Sequence, residues 1–467
     1  MEEALLPEKK ERIERAVTWE VFVEELKRVS CIAMPMVVVT VSQYLLRVVS
    51  MVMVGHLGTL SLSSAAIATS LTNVTGFSLL LGMASALETL CGQAYGAEQY
   101  QKLGIFTYGA IVSLILVCIP VSLLWIFLDK LLIFIGQDPL ISLEAGRYSV
   151  WLILALFPYA ILQSLVRFLQ TQSLILPMLV CSIATLSFHV AVCWFLVFTM
   201  NLGNTGAALA IGLSYWLNVI LLGLYVKYSS ACEKARVSFS KDVFLSIPEF
   251  FHLAIPSAVM VCLEWWSVEI VILLSGLLSN PKLETSVLSI CLTTTTLHYH
   301  IPYSVGAAAS TRVSNELGAG NPQAARVSVL VVLALGLAEV LIASTTLFCC
   351  RHVLGYAYAN EKEVVGYVEE MTPLVSFSFI MDGLQAVLGG VARGSGRQHL
   401  GACVNLTAFY IVGIPVAVVL GFALHLGGKG LWIGIAMGLT VQATLLSLIT
   451  GFTNWQKQVA KARKRVF

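Results

Sequence analysis

Apolar residues in this chain come in long unbroken runs, with polar residues gathered into the short gaps between them. Twelve runs are centred near Thr40, Phe77, Ser113, Ala155, Val190, Leu217, Cys262, Leu297, Val340, Ser376, Val412 and Thr440. Each supplies the roughly 20 consecutive apolar residues with which an α-helix crosses a hydrocarbon core. An even number of crossings puts both termini on one side. The runs also repeat. Displaced by about 222 positions, Leu87-Glu-Thr-Leu-Cys-Gly-Gln-Ala-Tyr-Gly96 falls on Ala309-Ser-Thr-Arg-Val-Ser-Asn-Glu-Leu-Gly318 and Leu162-Gln163 falls on Leu384-Gln385, while Pro35 comes within one residue of Pro256. A repeat that long indicates two duplicated bundles, the construction of carriers whose halves rock about a site between them. The pattern predicts an all-α membrane protein with twelve transmembrane helices in two pseudo-symmetric six-helix lobes. The expected divisions are an N-terminal segment (1–28), a first lobe (29–228), a linker (229–247), a second lobe (248–455) and a basic tail (456–467).

Composition supports the pattern. Of the 467 residues 58% are hydrophobic and only 12% charged, with a mean hydropathy of +0.85, whereas a soluble domain carries about a quarter charged residues. The net charge of +2 is uninformative until it is placed along the chain. Twenty-one of the 28 Lys and Arg residues fall on the side of the termini, six fall in the opposite loops, and Arg47 lies inside the first span. Short cytosolic loops accumulate Lys and Arg, so both termini are expected in the cytosol. Residues 1–28 mix acids and bases without an apolar core, so the first span is expected to serve as its own insertion signal.

Smaller signals change little. Glu2-Glu3-Ala4-Leu5-Leu6 has the form of an acidic dileucine sorting signal. The eleven cysteines lie mostly inside the spans, show no C-x-x-C spacing and read as small apolar core residues. Asn73-Val-Thr75 and Asn405-Leu-Thr407 fit a glycosylation tripeptide, but both fall in apolar runs that a lumenal enzyme does not reach.

Three segments carry a family resemblance: the stretch from Ala307 to Ala325 containing Arg312-Val-Ser-Asn-Glu-Leu-Gly318, its first-half partner Leu90-Cys-Gly-Gln-Ala-Tyr-Gly96, and Val391-Ala-Arg-Gly-Ser-Gly-Arg-Gln398. Together with Gly55-His-Leu-Gly58 and Leu202-Gly-Asn-Thr-Gly-Ala-Ala-Leu209 they resemble the multidrug and toxic compound extrusion (MATE) transporters, best the plant branch, over residues 29–455. The resemblance implies two lobes in a V that exchange protons or sodium for organic solutes. Apart from it, Gly318, Gly320 and Pro322 are expected to end the eighth span, and Arg312 and Glu316, four apart, to pair on one helix face. Pro35, Pro256, Arg312, Asn315, Glu316 and Gly318 are therefore read as structural and gating residues.

An acid costs about 2.5–3.5 kcal/mol at the centre of a spanning helix, which makes each one a functional candidate. Glu264, Glu269, Glu339 and Asp382 are the candidates for proton coupling, all in the second half; Ala160 holds the position matching Asp382. Glu264 and Asp382 match the acids that the plant branch uses for this purpose. Glu269, five residues from Glu264, is rotated about 140° from it on a helix and is expected to make a different contact. Glu339 is a structural or relay acid.

Gln43, Tyr44, Tyr159, Gln163, Trp216, Asn218, Trp265, Trp266, Tyr299 and Gln385 lie in or at the ends of spans and are candidates for solute contact, since rings suit planar cations. Arg47 either offsets an acid across the cleft or reaches for the interface. His298 and His300 diverge by about 200° on a helix, which argues against a shared metal. No H-x-x-x-x-D, G-x-S-x-G or H-E-x-x-H pattern supports an enzyme.

The expected function is export of organic, often cationic solutes in exchange for protons. The alternatives are a sodium-coupled exporter of the same fold and a lipid or secondary-metabolite flippase, and the latter would need more cavity cations than Arg47. No cofactor beyond the coupling proton and no nucleic-acid partner is expected. The chain is expected to act as a monomer in the plasma or vacuolar membrane, with small solutes and the bilayer as its partners.

Overall fold

The computed structural model describes residues 18–467. The dileucine segment (2–6) and the cations Lys9, Lys10, Arg12 and Arg15 lie outside the described residues. In the first half the long helices are α1 Trp19–Gly55, α2 Thr59–Gly96, α3 Tyr100–Ile126, α4 Pro139–Thr171, α5 Ile175–Thr199 and α6 Gly203–Tyr228. In the second they are α7 Lys241–Ser275, α8 Pro281–Gly318, α9 Pro322–Cys349, α10 Lys362–Gly394, α11 Gln398–Ala423 and α12 Gly427–Gly451. A shorter helix, α13 Trp455–Val466, closes the chain.

Each helix of the second half starts 222 to 224 residues after its counterpart, so the displacement read from two motifs holds for the whole architecture. Among the described residues, eleven of the twelve long helices are apolar enough to cross a membrane. The remaining one, α8, is long enough at 38 residues but is interrupted by Thr293 to Thr296, His298, Tyr299 and His300. Helices that line a polar cleft need not be apolar on every face.

Within the halves α4 packs against α2, α3 and α6, and α10 against α8, α9 and α12. Between the halves α1 packs on α8 and α7 on α2, the same contact repeated with the halves exchanged. Large apolar side chains such as Leu116, Ile119, Leu123, Trp151, Leu224 and Ile342 point outward, as a lipid-facing surface requires. Trp216 belongs to this outer face, 40% exposed. The segment between the halves holds one 3-10 turn, Ser230–Ala235.

The two glycine-bearing motifs are where the halves touch most closely. A Cβ on Gly96 would lie 1.9 Å from the Asn315 carbonyl oxygen, and one on Gly318 would lie 2.1 Å from that of Gln93. The four positions form a reciprocal pair under the repeat. These glycines serve close helix approach in addition to ending their helices, and the turn itself falls on Gly320 at φ +80°.

Candidate functional site

Glu264, on α7, lies eight residues beyond Pro256, which is inside the same helix. One of its carboxylate oxygens accepts from Gln385 Nε2 at 3.1 Å, and the other is within 3.4 Å of Asn405 Nδ2 and 3.3 Å of Gln442 Nε2. The same Gln385 nitrogen donates to Asp382 Oδ1 at 3.0 Å. One amide thus bridges two carboxylates from helices α7 and α10. Neither acid is in an ion pair among the described residues. The turn after Asp382 is pressed tightly against its neighbours, since a Cβ on Gly383 would stand 2.1 Å from Val340 Cγ1 on α9.

Both acids line a cavity of about 230 Å³ together with Glu269, Trp265, Tyr299, Thr295, Thr296 and Trp432 of the second half and Asn73 and Val74 of the first. Its first-half wall is a π-helical turn, Asn73–Phe77. A π turn breaks the regular backbone ladder and often marks a functional position. The Val74 carbonyl accepts from Trp266 Nε1 at 3.0 Å across the gap between the halves. A second π-helical stretch, Leu406–Gly413, follows Asn405 and places Phe409 on the cavity wall.

The remaining candidates spread around this centre. Glu269 accepts from Ser70 of α2 at 2.7 Å, so it shares the cavity with Glu264 but uses a different partner. Glu339 lies 3.0 Å from His298 Nε2, and the His298 ring stacks on Phe379 at 4.0 Å. His300 packs instead against Tyr44, with ring centroids 4.9 Å apart. Arg47 pairs with no acid among the described residues and donates to Asn73 Oδ1 at 3.1 Å. Gln43 is half-buried on α1, while Gln163 and Asn218 are buried within the first half. Tyr159 is packed edge-on against Phe77 at 5.0 Å.

On the termini side of the cavity the halves are joined by buried charge. Glu88 of α2 meets Arg167 Nε at 3.2 Å and Arg393 Nε of α10 at 3.0 Å. Arg167 also donates to the Tyr303 hydroxyl at 2.8 Å and to Gln170 Oε1 at 2.8 Å. Thr89 bonds the Arg393 carbonyl, and Gln398 reaches Thr89 at 2.7 Å. Asn315 Nδ2 donates to the Thr171 carbonyl at 3.2 Å. Arg312 meets Glu316 at 2.6 Å, as the spacing predicts, and also clamps Glu25 of α1 at 2.7 and 2.9 Å, an oxygen of which accepts from Ser328 as well.

Glu88 is not among the acids that sequence reasoning singles out, so a deeply buried acid in the first half is new with the structure. Arg167 and Arg393 count in the sequence among the cations on the side of the termini, yet they are 1% and 7% exposed. Glu88 lies within the first-half motif region, two residues before Leu90, and that position is the signal the sequence offers.

A family model described as MatE matches residues 35–195 and 256–419. Protein DETOXIFICATION 3 of Arabidopsis thaliana is 58% identical over 442 residues, covering 95% of this chain and 93% of that protein. Protein DETOXIFICATION 14 of the same plant is 57% identical over 445 residues, covering 95% and 92%. The crystal structure of the eukaryotic MATE transporter AtDTX14 superposes with a TM-score of 0.92 at 56% identity, covering 96% of this chain and all of that one. An outward-facing multidrug resistance MATE transporter of the MOP superfamily, 13% identical, shares the fold with a TM-score of 0.83 over 94% of this chain and 97% of that one. Two halves meeting at a cavity, a repeat that runs through all twelve long helices and these matches have one reading: the chain belongs to the MATE family of multidrug and toxic compound extrusion transporters and is not an enzyme.

Proposed function

We propose that this transporter exports organic solutes, often cationic, from the cytosol in exchange for protons, by alternating access, with Glu264 and Asp382 as the exchanging pair and Gln385 between them. The observation that carries the reading is the single Gln385 amide donating to both carboxylates at the wall of the cavity between the halves. Two negative charges brought together in a water-poor site repel each other. A proton or a cationic solute relieves that repulsion, and the two compete for it. Trp265 and Tyr299 line the same cavity, and aromatic rings suit a planar cation.

The rest of the cycle follows from where the molecule is sealed. The termini side is closed by the Gly96–Gly318 crossing and the Glu88 cluster, and the cavity lies beyond it. With the termini in the cytosol, as the distribution of Lys and Arg supports, this arrangement is the one facing the acidic compartment outside the cytosol. A proton arriving there neutralises the pair, and the solute leaves. In the opposite arrangement the proton departs to the cytosol and a new solute enters.

Uptake of a fluorescent organic cation into proteoliposomes tests the coupling ion directly. An acid interior with no sodium gradient is expected to drive accumulation, and a sodium gradient at equal pH is expected to drive none. The reverse result would make the protein a sodium-coupled exporter. Accumulation of a labelled phospholipid in place of the cation would make it a flippase.

A further inference from the structure

The amphipathic end helix α13 carries Lys457, Lys461, Arg463, Lys464 and Arg465 within 12 residues. It is not a loose tail. Ala462 and Val466 are buried, Lys102 bonds the Val466 carbonyl, and Arg465 donates to Gln93 Oε1 of α2 at 3.3 Å and to the Gly396 carbonyl at 3.2 Å. The helix therefore straps the two halves together at their sealed end. Between it and α7 lies a second cavity, about 320 Å³, lined by Glu249, His252, Leu253, Lys461, Lys464 and Arg465.

Four basic side chains face one carboxylate in that cavity, and none of Lys461, Lys464 and Arg465 is in an ion pair among the described residues. Burial pushes the pKa of Arg465 down, and the opposing pull of Glu249 is the smaller effect. A partly buried guanidinium short of counter-charge is stabilised by an anion. Lys and Arg clustered on an amphipathic helix next to a membrane span recognise phosphorylated headgroups, and the volume is that of a small-molecule site.

We propose that the cavity between α7 and α13 binds a phosphate-bearing anion held by Lys461, Lys464 and Arg465, presented either by an anionic lipid headgroup or by a soluble organophosphate. The test uses the purified full chain in neutral detergent and reads the melting temperature against increasing dioctanoyl phosphatidylinositol bisphosphate, inositol trisphosphate and dioctanoyl phosphatidylcholine. Three proteins are compared: the unaltered chain, K461Q/K464Q and the charge-matched K457Q/R463Q, whose substitutions lie on the same helix outside the cavity. All four lysines and arginines changed are exposed, so both variants are expected to fold.

The bisphosphate lipid or the trisphosphate is expected to stabilise the unaltered chain and K457Q/R463Q alike, and to bind K461Q/K464Q at least about tenfold more weakly. Equal affinity for the two phosphorylated probes assigns the site to a soluble organophosphate, and an advantage of about tenfold for the lipid assigns it to a headgroup. Absence of binding by either phosphorylated probe below about 1 mM overturns the proposal. So does an equal loss in both double variants, because attraction would then be diffuse charge and not a site, and so does equal stabilisation by phosphatidylcholine.

Discussion

Gln385 is the residue on which the site depends most heavily, because its one amide nitrogen serves Glu264 at 3.1 Å and Asp382 at 3.0 Å. Gln385→Leu keeps the volume approximately and removes both bonds. At about 1.5–3 kcal/mol for each hydrogen bond to a charged group, thermal denaturation in detergent is expected to show a clear loss of stability, and uphill transport is expected to fall at least about tenfold. Unaltered transport in a stably inserted variant would remove the bridge from the mechanism. Trp265→Ala is expected to act on affinity, raising the KM for a planar cation by about two- to thirtyfold, the range of a cation–π contact of roughly 0.5–2 kcal/mol. A matching fall in kcat with KM unchanged would place Trp265 outside solute contact. The acids are legible in the sequence because charge inside an apolar run is conspicuous. Their partners are not: Asn405 stands out only as part of a glycosylation tripeptide, and Gln442 lies 178 positions from Glu264, a separation that no local pattern reports.

The crossing of α2 and α8 is the element-scale feature with the clearest consequence. Gly96→Val would push a side chain into the Asn315 backbone and is expected to hold the termini-side ends apart. Reactivity of Ser314→Cys toward a membrane-impermeant thiol reagent measures this, in a background where the exposed Cys31, Cys349, Cys350 and Cys403 are replaced by serine. The introduced thiol is expected to be protected when Gly96 is kept and labelled when Gly96→Val is added; protection in both proteins would show that the crossing does not seal the end. Glu88→Gln leaves Arg167 and Arg393 buried without their counter-charge. Breaking a buried pair this way costs about 3–5 kcal/mol, so a large drop in melting temperature is expected, and a small one would mean that the two guanidinium groups find other partners. The motifs are readable as helix ends rich in glycine. Their reciprocal contact is not, because the sequence shows which residues repeat and not which copy faces which.

At the scale of the molecule the repeat does more than double the helix count. It places an exchanged pair of contacts, α1 on α8 and α7 on α2, around a cavity whose acids come from the second half alone, with the first half supplying Asn73 and Val74. Eleven apolar runs, the displacement and the two-lobe class are visible in the sequence because apolar length and period are one-dimensional signals, while α8 is marked by the period more than by its apolar length. The buried cluster around Glu88 is hidden because Arg167 and Arg393 are only two of the many termini-side cations until the helices are assembled. If one proton is exchanged for one monovalent cation, a pH unit, worth about 1.4 kcal/mol, sustains about a tenfold solute ratio, and steady-state accumulation in proteoliposomes at stepped interior pH checks it. The role of the acid pair is tested most directly by comparing the unaltered protein with Asp382→Asn and Glu264→Gln in uptake of a fluorescent organic cation under an imposed pH gradient. Gradient-driven accumulation is expected in the unaltered protein and its loss in either variant at equal insertion; full gradient-driven accumulation in both variants would contradict proton exchange at Glu264 and Asp382.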